Sequence, residues 1–334
     1  MDRYLSTCLP GIQTLAGDWV TSAGAKIVDI DEGMVVYDVF RRETAQYRFW
    51  TNSYQILLSF DNPGIGNMLR QTPEKTSVWT KTAETLLKSL HAKTFRILYS
   101  QNGKLKAMPQ EAMRFMERTI AKTCAMRWDR SHPDVNFYFI SRNNGKGYFA
   151  IQLPKQAEGE KALPKGALHA DLCDVLVRLG GLTQNVFWDA FCGYGSVIQA
   201  RMQYAYGDIF ATDNDNKMVE LSRAKIGVRK RLDIYKLDVL NPKGLAPVHT
   251  DTIIADPPWG LYEKIDIAVF YDRMLKTFED SLKTKGKLVL LTANQPVTLQ
   301  AIAKHPGLSL LAQYPIQYAG ISCCIYLLES IARI

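Results

Sequence analysis

Apolar and polar positions change their rhythm near residue 153. Downstream, helical spacing alternates with short apolar runs. Leu168, Leu172, Val175, Leu176 and Leu179 fall on one face of a helix over 168–179, which Gly180-Gly181 stops. The stretch 186–189 reads as a short strand, 196–206 as a helix and 208–212 as a second strand. Helical spacing returns over 217–228, and 232–237 is strand-like. The run 252–255 reads as a buried strand. An amphipathic helix over 265–282 turns Ile267, Phe270, Met274, Leu275, Phe278 and Leu282 inward. Strands follow at 287–291 and 321–328. Strands alternating with helices of this length predict βαβ units and a mostly parallel sheet covered on both faces, the doubly wound α/β class.

Upstream the pattern is mixed. β-Branched and aromatic residues suit strands over 34–40 and 48–58, and helices are expected over 82–91 and 109–124. Two further strands, 135–141 and 148–153, flank Asn143-Asn144-Gly145-Lys146-Gly147, a good hairpin connection. This is an α+β region. Between the two halves, residues 154–166 hold two prolines, two glycines and mixed charge with little apolar content, which is linker chemistry. A length of 334 residues suits two or three domains.

Charge sharpens the contrast. The net charge of +8 is concentrated upstream, where residues 1–150 carry 20 Lys/Arg against 14 Asp/Glu. Within 88–127 the cations are Lys88, Lys93, Arg96, Lys104, Lys106, Arg114, Arg118, Lys122 and Arg127, opposed only by Glu111 and Glu117. Such a field attracts polyanions, phosphate backbones above all. A solvated helix face explains part of it equally well, because Arg114, Arg118 and Lys122 are spaced i, i+4, i+8. The six cysteines form no C-x-x-C pair, so no metal site and no disulfide framework is expected. No stretch approaches the ~20 apolar residues that span a bilayer. Residues 1–11 do not read as a signal peptide, so a cytoplasmic protein is expected.

Four places carry candidate chemistry. Phe187-Trp188-Asp189-Ala190-Phe191-Cys192-Gly193-Tyr194-Gly195-Ser196 runs from a strand through a Gly-x-Gly turn into a helix. Gly193 and Gly195 would let backbone approach a ligand at the carboxyl end of the strand, or would simply make a tight turn. Asp213 follows the next strand, where a carboxylate can accept from both hydroxyls of an adenosine ribose. Asp215 is its rival, or a helix cap. Asp238 follows the third strand and could accept from an adenine amino group, or belong to a turn before Asn241-Pro242. Lastly, the strand at 252–255 ends in Asp256-Pro257-Pro258-Trp259-Gly260. An exocyclic amino group on a base has two N–H donors and a lone pair delocalised into the ring. Making it nucleophilic requires acceptors for those N–H groups. The Asp256 carboxylate and the Pro257 carbonyl are such acceptors, and Trp259 offers a face for stacking.

These motifs resemble those of Rossmann-like class I methyltransferases over residues 168–334. Asp189 to Ser196 is similar to the family's D-P-F-C-G-S-G-T cofactor loop, departing at Ala190 and Tyr194. Asp256 to Trp259 is similar to the D/N-P-P-Y/F/W amino-methylation motif, with Asp as in the branch that methylates N2 of guanine. Tyr4-Leu5-Ser6-Thr7-Cys8-Leu9-Pro10-Gly11 resembles the opening of methyltransferases that carry a THUMP domain. Val135 to Ile140 with Tyr148 to Ile151 resembles the last THUMP hairpin. The resemblance implies a ferredoxin-like module over 1–60, a THUMP-like RNA-binding domain over 61–153, a linker over 154–166 and a methyltransferase domain over 167–334.

It further implies an S-adenosylmethionine-dependent enzyme that forms N2-methylguanosine in RNA, with tRNA the expected partner. Asp189, Phe191, Gly193, Gly195, Asp213, Asp238 and Asp256 would bind the cofactor. Asp256, Pro257 and Trp259 would serve catalysis. Lys93, Arg96, Lys104, Lys106, Arg114, Arg118 and Lys122 would bind RNA. The target base would have to leave its stack. No metal and no membrane is expected. The same motif pair also occurs in DNA adenine and cytosine amino methyltransferases, and glutamine methyltransferases of proteins share an N-P-P-Y motif. Ribosomal RNA is an alternative substrate, and an RNA-binding protein without catalysis is the alternative of a different class.

Overall fold

The structure, a computed structural model, describes residues 1–155, 163–164, 166–183, 185–244, 246–260 and 266–331. Contacts divide the chain into two compact units, separating between residues 156 and 157, with Leu9–Ile12 grouped with the second. Most of the expected linker, 156–162 and 165, lies outside the described residues. Among the described residues no helix is long and apolar enough to cross a membrane.

In the first unit nine strands form one sheet. They are β1 (Asp2–Thr7), β2 (Lys26–Asp31), β3 (Met34–Val39), β4 (Asn52–Phe60), β5 (Thr94–Gln101), β6 (Lys104–Lys106), β7 (Arg127–Trp128), β8 (Val135–Ser141) and β9 (Gly147–Gln152). The order is β2-β3-β1-β4-β9-β8-β5-β6, with β7 also pairing β5. The helices are α1 (Gln13–Ser22), α2 (Ile65–Glu74), α3 (Thr76–Ser89) and α4 (Gln110–Cys124). Residue 60 ends β4, and the sheet runs on, because Phe60 pairs with Gly147. One apolar cluster, including Leu5, Val36, Ile56, Ile140 and Ala150, spans both sides of that position. The alternating period of β3, β8 and β9 made them legible. By contrast β2 is only half-buried and carries charges at both ends, and β5 alternates around Arg96, so neither declares itself as an apolar run.

The second unit contains α5 (Ala170–Gly180), β10 (Phe187–Asp189), α6 (Ser196–Arg201), β11 (Ile209–Asp213), α7 (Asn216–Ile226), β12 (Leu232–Lys236) and β13 (Thr250–Ala255). It continues through α8 (Ile267–Ser281), β14 (Leu282–Thr292), α9 (Gln295–Ala303), β15 (Leu308–Tyr318) and β16 (Ile321–Ser330). The sheet order is β12-β11-β10-β13-β14-β16-β15, parallel from β12 to β14 and antiparallel at β16 and β15. The expected start of α8 at 265 lies outside the described residues. The helix expected over 196–206 ends at Arg201, whose guanidinium is buried and donates to the carbonyls of Ala205 and Thr183 and to Asn185. Its Nη atoms thereby tie the chain after the helix to Thr183 and Asn185, while its buried Nε has no hydrogen-bond partner among the described residues.

Each face of this sheet has its own cover. Trp188, Ile253, Leu288, Leu290 and Tyr326 pack on Tyr271, Met274, Leu275 and Phe278 of α8. On the opposite face α5 lies so close that a Cβ on Gly180 would come within 2.5 Å of the Thr252 methyl, and the Thr252 hydroxyl donates to the Gly180 carbonyl. The chain order reverses between β10 and β13, since β11 and β12 lie on one side and β13 and β14 on the other. Ligands of open α/β sheets bind beyond the carboxyl ends of the strands at such a reversal.

Candidate active site

Three carboxylates converge there by register alone. Asp189 ends β10 and stands opposite Ala211 of β11 and Ile254 of β13. Asp213 and Asp256 lie two residues further along those neighbours, so the period of two points all three to one face. Asp189, the lowest, is buried at 2% exposure, and its Oδ2 has no hydrogen-bond partner among the described residues. Burial first, then the neighbouring Asp213 and Asp256, push its carboxyl well above the usual range.

The glycine turn divides its labour. Gly193 has φ 45° and open space where a Cβ would stand, while its N–H donates to Asp213 Oδ2 at 3.0 Å. Gly195 has φ 76°, and a Cβ there would meet Ser222 Oγ at 2.7 Å and Ile226 beyond it. Gly193 thus leaves room for a ligand, and Gly195 lets the turn pack on α7. Behind them the Trp188 indole N–H donates to Thr212 Oγ1, which donates to the Ala190 carbonyl. That buried relay ties β10 to β11.

Asp213 Oδ1 accepts the Asp215 N–H, and Asp215 in turn caps α7 by accepting from Lys217. Asp215 thus takes the helix-cap role that was one of its two readings. Asp238 is exposed and accepts from the Leu240 N–H, so it makes a turn, yet it also lines a cleft with Phe191, Asn214, Leu237, Leu240 and Phe270. The cleft encloses about 10 Å³, which is room for roughly one water. The Phe191 and Phe270 rings meet across it at 6.2 Å.

Asp256 sits at the end of β13. Its Oδ1 accepts the Trp259 indole N–H at 3.0 Å. Desolvation pushes the carboxyl up to about 7, and the Trp259 bond opposes the rise. Trp259 is thereby a clamp on Asp256, which the sequence reading as a stacking face did not anticipate. Behind the loop the buried Tyr271 hydroxyl bonds Thr292 Oγ1 at 2.6 Å and lies 3.5 Å from the Pro258 carbonyl. Tyr318, near the tip of the β15–β16 hairpin, takes the His169 N–H on its hydroxyl, with the two rings edge to face. Asn214, Tyr271 and Tyr318 were not singled out from the sequence, and Phe270 was read only as an inward residue of its amphipathic helix. Asn214 follows Asp213 directly and was accessible to that reasoning; the others depend on packing. Among the described residues no group of three His, Cys, Asp or Glu is arranged to hold a metal.

In the first unit, Lys93, Lys104, Lys106, Arg114, Arg118 and Lys122 are exposed. Arg96 is half-buried and donates to Asn136 Oδ1, which makes it part of the β5–β8 pairing. Glu117, one of the two opposing acids, is buried and held by a bidentate contact from Arg130 at 2.9 Å. Its charge is therefore withdrawn from the outer face of α4, leaving Glu111 as the acid of the segment there.

Residues 196–309 match the family described as UPF0020, RMKL-like, methyltransferase domain. Over those residues the C-terminal unit is similar to that methyltransferase domain. Among solved structures, TrmN from Thermus thermophilus matches with a TM-score of 0.74 at 19% identity, covering 99% of this chain and 100% of that one. SMU.472 complexed with SAH matches at 0.68 and 12% identity, covering 100% and 99%. A predicted N6-adenine-specific DNA methylase from Listeria monocytogenes matches at 0.65 and 12%, covering 98% and 95%. These likenesses establish the Rossmann-like fold. No curated protein matches the sequence.

Proposed function

We propose that the chain methylates N2 of guanine in RNA, and that the RNA is tRNA. The observation that carries this reading is the Asp256-Pro257-Pro258-Trp259 loop at the strand reversal, with its carboxyl clamped by the indole. Asp256 offers a carboxylate and Pro257 a carbonyl as acceptors for the two N–H groups of a base amino group. The exposed basic segment, relieved of Glu117, supports a polyanionic substrate. We assign RNA gripping to residues 61–153, the region that resembles THUMP.

The residues present fit S-adenosylmethionine. An unpartnered buried carboxylate oxygen on Asp189, open space over Gly193 and the Asp213 carboxylate lie along one edge. Asp213 keeps lone pairs for ribose hydroxyls beyond its two backbone donors. Phe191, Asp238 and Phe270 would hold the adenine once the two phenyl rings part. When bound, the cofactor supplies a methyl group activated on a sulfonium. The chain's own contribution is orientation and acceptance of N–H bonds, with the proton leaving to Asp256 or solvent.

The test offers RNA and DNA side by side with labelled cofactor. Label in unmodified tRNA and none in DNA supports the reading; label in DNA alone replaces it with a DNA amino methyltransferase. Label in neither nucleic acid, with cofactor binding intact by calorimetry, would leave a binding protein.

A further inference from the structure

The loop that carries Asp256 has little of its own to hold it. Pro257 and Pro258 remove two backbone donors, and the residue before each proline, Asp256 and then Pro257, is confined to extended backbone. Such a segment is fixed to the fold through its carbonyls, and α8 supplies a donor. Tyr271, Met274, Leu275 and Phe278 form the α8 stripe that packs on the sheet. Tyr271 is fully buried there, yet it carries a hydroxyl among apolar neighbours, where an unpaired polar group is costly. That hydroxyl lies 3.5 Å from the Pro258 carbonyl and 2.6 Å from Thr292 Oγ1.

Register brings Thr292 to this point. Ala255 pairs with Leu290, and Leu288 and Leu290 pack on α8, so Thr292, two residues on, turns to the same helix beside the loop. The placement of protons follows from the partners. The Asn294 N–H donates to Thr292 Oγ1 at 3.0 Å. The Thr292 proton is then free for the Tyr271 oxygen, which leaves the Tyr271 O–H to donate to the Pro258 carbonyl. The far end of the loop rests on the same helix, since a Cβ on Gly260 would meet Ile267 at 3.2 Å. Between these supports Trp259 is tied to Asp256. We propose that Tyr271, oriented by Thr292, is a positioning residue for methyl transfer: it holds the Pro258 carbonyl so that Asp256 and the Pro257 carbonyl stay aimed at the amino group. Its part in the chemistry rests on the methyl-transfer reading above; its anchoring of the loop does not.

The test uses the full chain carrying nitrogen-15 tryptophan. Solvent exchange of the Trp259 indole N–H reports how firmly the loop is held, and Trp259→Phe assigns its resonance. The Trp188 indole N–H, bonded to Thr212 in the same unit, is the internal reference for a general loss of stability. Tyr271→Phe keeps the ring and removes the hydroxyl. Thr292→Val removes the orienting partner, and Thr292→Ser retains it. Tyr271→Phe and Thr292→Val should each speed Trp259 exchange about tenfold, the effect of one lost hydrogen bond on local opening, while Trp188 exchange is unchanged. Thr292→Ser should restore the protection. With labelled cofactor and tRNA, Tyr271→Phe should lower kcat about tenfold and leave KM for RNA and the cofactor affinity within about twofold, because misplaced acceptors tell in the transition state. Unchanged Trp259 exchange in both variants overturns the proposal, as does equal acceleration at Trp188, which marks a bond of the core alone. Faster Trp259 exchange with kcat intact also overturns it. If the parent protein transfers no methyl group to RNA, the function reading fails, while the exchange rates still decide whether Tyr271 anchors the loop. Should Tyr271→Phe not fold, Thr292→Val against Thr292→Ser decides by the same two readouts.

Discussion

Replacing Trp259 by Phe isolates the bond that holds Asp256. The ring remains apolar and aromatic, but the indole N–H that donates to Asp256 Oδ1 at 3.0 Å is lost. A hydrogen bond to an ionised group contributes about 1.5–3 kcal/mol, and one pKa unit corresponds to about 1.4 kcal/mol. Asp256 is half-buried, so screening by solvent favours the lower end of that range. Its carboxyl, already pushed up to about 7 by desolvation, should therefore titrate about one unit higher in the variant. Carbon-13 NMR of labelled aspartate carboxyls reads this directly, and Asp256→Asn assigns the resonance. Stability gives a second readout. A carboxyl raised in the folded state weakens the fold above that pKa, and the cost disappears as pH falls toward the ordinary carboxylate value. The variant should thus lose stability against the parent at pH 9 and little at pH 5. An unmoved titration would refute the clamp, and a pH-independent loss of stability would show that Trp259 acts only by packing.

Gly195→Ala should lower stability by about 1–3 kcal/mol, since it combines a left-handed backbone with a clash against Ser222. Gly193→Ala meets open space, so thermal denaturation should show a smaller loss while calorimetry shows weaker cofactor binding. Arg130→Ala leaves buried Glu117 unpaired and should cost stability by urea denaturation. Charge reversal of Arg114, Arg118 and Lys122 should leave the fold intact by circular dichroism. If these residues meet phosphates, it should lower the slope of log K against log salt by about one per lost contact.

The second sheet was largely legible because buried parallel strands are short apolar runs and their helices carry 3.6-residue apolar stripes. That periodicity located α5, α7 and α8 within a few residues. It did not reveal α9, whose nine residues carry apolar side chains all round, or β15, an edge strand exposed at Ser309, Leu310 and Leu311. The motif acids Asp189, Asp213 and Asp256 were visible as residue types at strand ends. Their convergence depends on register, which no local pattern encodes. Nor could spacing show that Trp259 turns its N–H back onto Asp256, or that Arg130, outside the basic segment, removes Glu117 from it. In both cases a tertiary contact reassigns a side chain whose chemistry was plain.

The central claim is tested most directly by nucleoside mass spectrometry. Purified protein is incubated with S-adenosylmethionine and unmodified tRNA, beside an Asp256→Ala control checked for folding. The account predicts new N2-methylguanosine that the control does not form. Methylation of another base, or no product from a protein that binds the cofactor and the RNA, would contradict it.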